Sequence, residues 1–169
     1  RFFAARLAQA IFLFFPLAPL TYLVAQRLFT FNFPAPIKIE SGKLIERTAR
    51  LSAWVIAAYP LLLVYPLGLG TENPFFVLLL ASFLFFLSSI ERPSTSHFLL
   101  SGIFLALTAL TRSVILAFAL AAFCLLFYLR GKRAIASILA FVLVVAPWTI
   151  RNSLLHGELT GIETSMGYN

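Results

Sequence analysis

The sequence predicts an all-α fold, a polytopic bundle of about six closely spaced transmembrane helices. Of its 169 residues, 61% are hydrophobic and only 11% are charged, whereas soluble domains average about 25% charged residues. A chain this short cannot hide so much apolar surface inside one water-exposed globule. Its basic residues lie in short clusters between apolar runs, as topology signals do. Membrane lipid is therefore the expected solvent for most of the chain.

Charged residues divide the chain into apolar runs that suit a hydrocarbon core of about 30 Å. The predicted spans are Leu7–Ala25, Leu51–Thr71, Asn73–Ile90, Phe98–Thr111, Ser113–Leu129 and Ala134–Ile150. The stretch 98–129 contains one charge, Arg112, and could form one long tilted helix or two short helices that turn there. Before the second span, Ser41 could cap a short amphipathic lead into it.

The distribution of basic residues favours two short helices. In that topology nine Lys and Arg residues lie on one side and four on the other. The positive-inside rule then places the loops 27–50, 91–97 and 130–133 in the cytoplasm. We therefore expect three polar features on the outer face: the turn 70–74, the turn at Arg112 and everything after Arg151.

Two charges at the predicted outer face are candidate functional residues. Glu72 lies between two apolar spans, where ionisable residues usually face a cavity. It could equally be a helix N-terminal acid favoured by the helix dipole. Arg112 is flanked by Thr111 and Ser113, and its planar guanidinium suits a phosphate group. It could instead extend to the interface or pair with Glu72.

The sequence excludes several other kinds of site. One cysteine, Cys124, permits neither a disulfide framework nor a Cys-based metal site within the chain. No cofactor is predicted; dependence on a divalent metal stays open, because a single Glu does not make a metal site. No nucleic-acid partner is predicted either, because the basic residues form no patch with interleaved stacking groups. A lone His156 gives little support for a catalytic histidine.

Two strings resemble segments of C-type polytopic glycosyltransferases. They are Gly102–Ser113, GIFLALTALTRS, and Ala146–Asn152, APWTIRN, which is followed by the loop Thr164–Asn169. The stretch from Ala57–Pro60 to Gly70–Asn73 also fits. The branch is the protein O-mannosyltransferase-like and aminoarabinose-transferase-like one, family 39 and its bacterial relatives. The resemblance covers nearly the whole chain.

This resemblance implies an inverting hexosyl or pentosyl transferase of the inner membrane. It implies a polyprenyl-phosphate sugar donor and an envelope acceptor (protein, lipid or glycan) on the extracytoplasmic face. Glu72 matches the family's second outer acidic position and would be a supporting acid. Arg112 and Arg151 would bind the donor phosphate. Asn152, which matches the start of the large outer loop, would contact substrate together with Tyr168 and Asn169.

The sequence departs from the family in one respect. The family's principal catalytic carboxylates follow its first span, but this chain has no such loop and contains no aspartate. It also begins at Arg1 and ends within a polar segment at Asn169. We therefore expect residues 1–169 to be one membrane domain, an internal part of a larger transmembrane domain that is inactive alone.

Two other functions remain open from the sequence. A transporter or channel segment would use Glu72 and Arg112 as pathway charges, and it should show internal repeats, which are not found. A non-catalytic membrane subunit would use the same charges only to pair with other groups.

Overall fold

The computed structural model of the protein describes residues 15–32, 42–60, 62 and 72–162. Among these residues there are six α-helices, one short 3-10 helix and no strand, which confirms the predicted all-α fold. The α-helices are α1 (Leu17–Asn32), α2 (Gly42–Ala58), α3 (Glu72–Glu91), α4 (Thr95–Thr111), α5 (Ile115–Arg130) and α6 (Ile135–His156). The 3-10 helix, Gly131–Ala134, joins α5 to α6.

Length and composition of the helices fit a membrane. Pro74–Glu91 and the 42-residue run Ile115–His156 are long and apolar enough to cross one, and Thr95–Thr111 is a shorter apolar helix. Large apolar side chains such as Leu120 and Leu143 are exposed on these helices. Exposed aliphatic groups are stable in lipid, and a helix satisfies its own backbone hydrogen bonds there. The protein is thus a membrane protein, as the composition predicts.

Residues 98–129 form two helices rather than one. Arg112 adopts an extended backbone with φ −149° and ψ 118°, which ends α4. Its N–H still donates to the carbonyl of Thr108 at 3.1 Å, and the N–H of Leu116 donates to the carbonyl of Ser113 at 2.9 Å. The chain therefore turns within three residues, 112–114, at the position where the single charge predicted a break.

Several helices extend beyond the predicted spans. Helix α1 continues past the predicted end at Ala25 to Asn32, and α6 continues past Ile150 to His156. Helix α2 begins at Gly42 instead of Leu51, because the amphipathic lead and the span form one helix. Within the amphipathic lead, Arg50 and Glu46 form an ion pair one turn apart at 2.5 Å. Residues 7–14 and 63–71 of the predicted spans lie outside the described part of the chain.

The chain divides into two compact units, residues 1–87 and 88–169. In the first, α1 packs along α2, and Leu17, Val24, Ile45 and Ala49 are buried. In the second, α4 packs along α6. The second unit contains most of the residues on which the functional argument depends.

Helices α4 and α6 run parallel and approach closely. The hydroxyl groups of Ser101 and Ser137 are 3.1 Å apart, and a Cβ added at Gly102 would overlap the Ser137 backbone and lie 3.0 Å from the Ala140 Cβ. Small residues allow this approach, and paired hydroxyls satisfy one another in an apolar setting. Residue 101 of α4 therefore lies beside residue 137 of α6, near the N-terminal end of both helices.

Helix α5 follows α4 and precedes α6 in the chain, and it runs back toward the start of α4. The rings of Phe123 and Phe141 meet edge to face with centroids 5.3 Å apart. At its C-terminal end, the Nη2 of Arg130 donates to the carbonyl oxygen of Ile90, in the last turn of α3. A cation at the carbonyl end of a helix is favoured by the helix dipole. This bond fixes the end of α5 beside the start of α4.

Candidate functional site

The parallel pairing of α4 and α6 determines where Arg112 lies. Arg112 is eleven residues after Ser101, about 16 Å along a helix axis at 1.5 Å per residue. The same distance from Ser137 along α6 reaches Trp148. Arg112 is therefore at the level of Trp148, about one turn before Asn152. The structure brings three predicted site residues, Arg112, Arg151 and Asn152, to one end of the second unit.

The hydroxyl groups around Arg112 are already used by the helix end. The Thr111 hydroxyl donates to the carbonyl of Thr108 at 2.6 Å, and the Thr108 hydroxyl donates to that of Phe104 at 2.7 Å. These bonds occupy acceptors in the last turn of α4, where the chain leaves the helix. Ser113 is buried and Arg112 is half-buried. Of the two hydroxyl groups predicted to flank Arg112, that of Thr111 already donates its hydrogen bond to a backbone carbonyl.

Arg151 and Trp148 interact on the exposed side of α6. The Arg151 guanidinium carbon lies 5.6 Å from the centre of the Trp148 ring, which is a cation–π distance. The indole Nε1–H of Trp148 donates to the carbonyl of Ile162 at 3.2 Å. Arg151 itself is exposed. A planar cation held over an aromatic ring keeps its edge N–H groups free to meet an anion.

Asn152 is on a different side of α6 from Arg151. Its side chain is only 6% exposed, whereas the neighbouring Arg151 is open. A buried amide in an apolar bundle has a high cost unless it is hydrogen-bonded. This burial does not match a residue that directly contacts soluble substrate. Asn152 therefore lies inside the end of the second unit.

The chain after α6 folds back along the helix. Helix α6 ends at Gly157, which adopts the left-handed conformation with φ 70°. The N–H of Thr160 then donates to the Ser153 Oγ at 3.2 Å, and the Ser153 hydroxyl lies 3.4 Å from the Thr160 carbonyl oxygen. A cleft of about 590 Å³ lies beside this fold-back and is lined by Thr149, Ser153, Glu158 and Thr160, among others.

The other predicted site residues are not tested by these contacts. Glu72 is the first residue of α3, in the first unit, a backbone position that fits the helix N-terminal acid. Its side chain, and the whole of Tyr168 and Asn169, lie outside the described part of the chain. Across the described residues there is no group of three or more His, Cys, Asp or Glu that could hold a metal ion.

Sequence reasoning missed the residues that organise this end. The sequence marks Trp148 only as an aromatic residue near the end of a span, as is usual at a membrane interface, and it does not distinguish Ser153 or Thr160. One signal was available: a glycine after an apolar helix, here Gly157, is the usual helix-ending residue. The bond between Ser153 and Thr160 had no sequence signal, because it depends on how the chain turns after Gly157.

Comparison with known families gives one match. A family model described as dolichyl-phosphate-mannose-protein mannosyltransferase matches residues 41–150. The matched segment runs from the start of α2 to the Trp148 turn of α6, and it includes Glu72 and Arg112. Arg151 and Asn152 follow it directly. No curated protein and no solved structure matches the chain significantly.

Proposed function

Because the chain belongs to the dolichyl-phosphate-mannose-protein mannosyltransferase family of C-type membrane glycosyltransferases, we propose that it takes its sugar from a polyprenyl-phosphate donor. The acceptor is a component of the cell envelope, a protein, a lipid or a glycan. Transfer takes place on the extracytoplasmic face. The alternative of a pathway segment in a transporter gains no support from a family of transferases.

The proposal rests on the position of Arg112 along the α4–α6 pair. The break at residues 112–114 and the parallel pairing through Ser101 and Ser137 bring Arg112 to the same end as Arg151. Two guanidinium groups at one end of an apolar bundle suit a phosphate located at the membrane interface. A lipid-linked sugar phosphate has its charged group at that depth.

Arg112 and Arg151 would act on the leaving group. As the bond between sugar and phosphate breaks, negative charge grows on the phosphate oxygens. A guanidinium fork binds two such oxygens at once and stabilises charge that develops in the transition state. Half-burial of Arg112 strengthens this interaction, because fewer waters screen it.

Glu72 is proposed as a supporting acid only. Inverting transfer needs a base that removes the acceptor proton as the phosphate leaves. A carboxylate at the start of α3 could orient the acceptor or the sugar, and no contact of its side chain is needed for the phosphate argument. Asn152 would position the start of the outer segment, with Tyr168 and Asn169 further along it.

The outer location is supported by charge. The segments 27–50, 91–97 and 130–133 contain nine of the thirteen basic residues. The segment 130–133 directly precedes α6, at the N-terminal end of the α4–α6 pair, whereas Arg112 follows the C-terminal end of α4. Arg112 is therefore at the end of the pair away from 130–133. By the positive-inside rule, that end is extracytoplasmic.

The test replaces Arg112 with Leu and with Lys in the complete protein in membranes. Removing one donor to a developing oxyanion typically costs about 100-fold to 1,000-fold in rate. We expect Arg112→Leu to lose sugar transfer by about that factor, with partial recovery in Arg112→Lys, while thermal unfolding in detergent is unchanged. Arg50→Leu, in an exposed ion pair on α2, is the matched control.

The outcomes separate the enzyme from the structural role. Transfer by Arg112→Leu within threefold of wild type would contradict phosphate binding by Arg112. If Arg112→Leu unfolds, the neutral variant Arg112→Gln decides: a folded Arg112→Gln protein with normal KM and kcat would make Arg112 a purely structural residue.

A further inference from the structure

A second charged cleft lies at the opposite end of the second unit from Arg112. There the chain enters α4 through Pro93 and Ser94 and leaves α5 through the 3-10 helix 131–134. These two segments line a cleft of about 490 Å³, with Thr95 on one side and Lys132 and Arg133 on the other. Most of its exposed lining is polar. It is separated from Arg112 by the length of α4, about 25 Å for 17 residues.

The charge of this end is strongly positive. Residues 88–98 and 130–136 contain four basic residues, Arg92, Arg130, Lys132 and Arg133, and one acid, Glu91. Lys132 and Arg133 are exposed, and both line the cleft. Like charges this close repel one another unless an anion lies between them. The cleft therefore has the electrostatic character of an anion site.

Hydrogen-bond donors add to this charge. The N-cap residue Ser94 makes no side-chain capping bond, so no N-cap side chain satisfies the first-turn N–H groups of α4. The positive end of the helix dipole faces the same side.

The surroundings identify the source of the anion. Helices α4, α5 and α6 are apolar, and Tyr128, Leu129 and Ile135 beside the cleft are exposed. In a membrane helix such exposed side chains contact lipid, and the cleft lies where these helices end, at the level where a leaflet ends. Basic pockets between transmembrane helices bind the head groups of anionic lipids.

We infer that this cleft binds the phosphate of an anionic phospholipid of the adjoining leaflet, through Lys132, Arg133 and the first turn of α4. The bound head group neutralises the two cations and bridges the start of α4 to the α5–α6 turn. The inference does not depend on the glycosyltransferase proposal, because it concerns the other end of the unit and needs no sugar donor.

The experiment measures thermal unfolding of the complete protein in detergent during titration with three probes. These are short-chain phosphatidylglycerol, short-chain phosphatidylcholine and inorganic phosphate. We expect phosphatidylglycerol to raise the unfolding temperature in a saturable way, and the two other probes to have little effect. Lys132→Gln/Arg133→Gln should weaken the apparent affinity for phosphatidylglycerol at least tenfold.

Two further variants make the result specific. Lys43→Gln/Arg47→Gln removes the same charge from the exposed face of α2 and should keep the wild-type response. Thr95→Glu places an acid at the start of α4, where the helix dipole favours it, so the protein should fold and yet lose the response.

Each remaining outcome overturns the inference. An equal effect of inorganic phosphate would assign the cleft to a soluble anion instead of a lipid. An equal loss of response in Lys43→Gln/Arg47→Gln would reduce the effect to net charge. No response to phosphatidylglycerol, or an unchanged response in a folded Thr95→Glu variant, would show that the cleft is not the binding site.

Discussion

Gly102→Ala tests the close approach of α4 and α6, on which the position of Arg112 depends. The added Cβ would overlap the Ser137 carbonyl oxygen and lie 2.9 Å from its carbon and 3.0 Å from the Ala140 Cβ. Carbon atoms prefer about 3.5–4.0 Å, so the helices must separate by about 1 Å. The Ser101–Ser137 bond, 3.1 Å long, would then exceed hydrogen-bonding distance.

The size of the effect follows from these two losses. Overpacking a tight contact costs about 1–3 kcal/mol, and a hydrogen bond between membrane helices contributes about 0.6 kcal/mol on average. We expect the free energy of unfolding, measured by titration with a denaturing detergent, to fall by about 2–4 kcal/mol. Sugar transfer should fall as well, because the α4 end that bears Arg112 moves relative to α6.

Gly42→Ala is the matched control, because a Cβ at Gly42 meets nothing within 4 Å. That variant should be neutral or slightly stabilising, as alanine suits a helix better than glycine. A Gly102→Ala protein that unfolds at the wild-type detergent concentration would refute the close parallel pairing, and with it the level of Arg112.

Two further predictions concern the end of α6. Arg151→Ala should raise the KM for the polyprenyl-phosphate donor about tenfold with little change in stability, because Arg151 is exposed; Arg151→Lys should recover part of it, and an unchanged KM would remove Arg151 from the phosphate site. Ser153→Ala removes the bonds to Thr160, which we expect to cost about 1 kcal/mol and to increase proteolysis after Gly157. Equal proteolysis of Ser153→Ala and wild type would contradict the fold-back.

The helical class and the break at Arg112 were predictable from the sequence for simple physical reasons. Lipid requires continuous apolar helices, and a single arginine in 32 otherwise uncharged residues is costly at the centre of a span. The start of α2 was only partly predictable. An amphipathic lead after Ser41 was expected, but its fusion with the span into one helix from Gly42 was not. Lys43 and Glu46 are good helix formers, and charged residues can pair along a helix face, so the helix continues through them.

The candidate site was only partly predictable. Topology from the basic residues already placed Arg112 and Arg151 on one face. The parallel neighbour of α4 could not be predicted, because the contact between Ser101 and Ser137 spans 36 residues and depends on how α5 returns. The burial of Asn152 was unexpected, since the segment was read as a substrate loop. Glu72, Tyr168 and Asn169 stay predictions.

We propose that the turn at Arg112 and the end of α6 share the extracytoplasmic face, opposite the basic turn at 131–134. Labelling of single cysteines by a membrane-impermeant maleimide in intact cells tests this most directly. Val114 and Leu154 are exposed, at 75% and 79%, and Lys132 is the opposite-face position; the background is Cys124→Ala. We expect Val114→Cys and Leu154→Cys to be labelled from outside, and Lys132→Cys to be labelled only after permeabilisation. Labelling of 114 and 154 from opposite sides, or of 132 from outside, would contradict it.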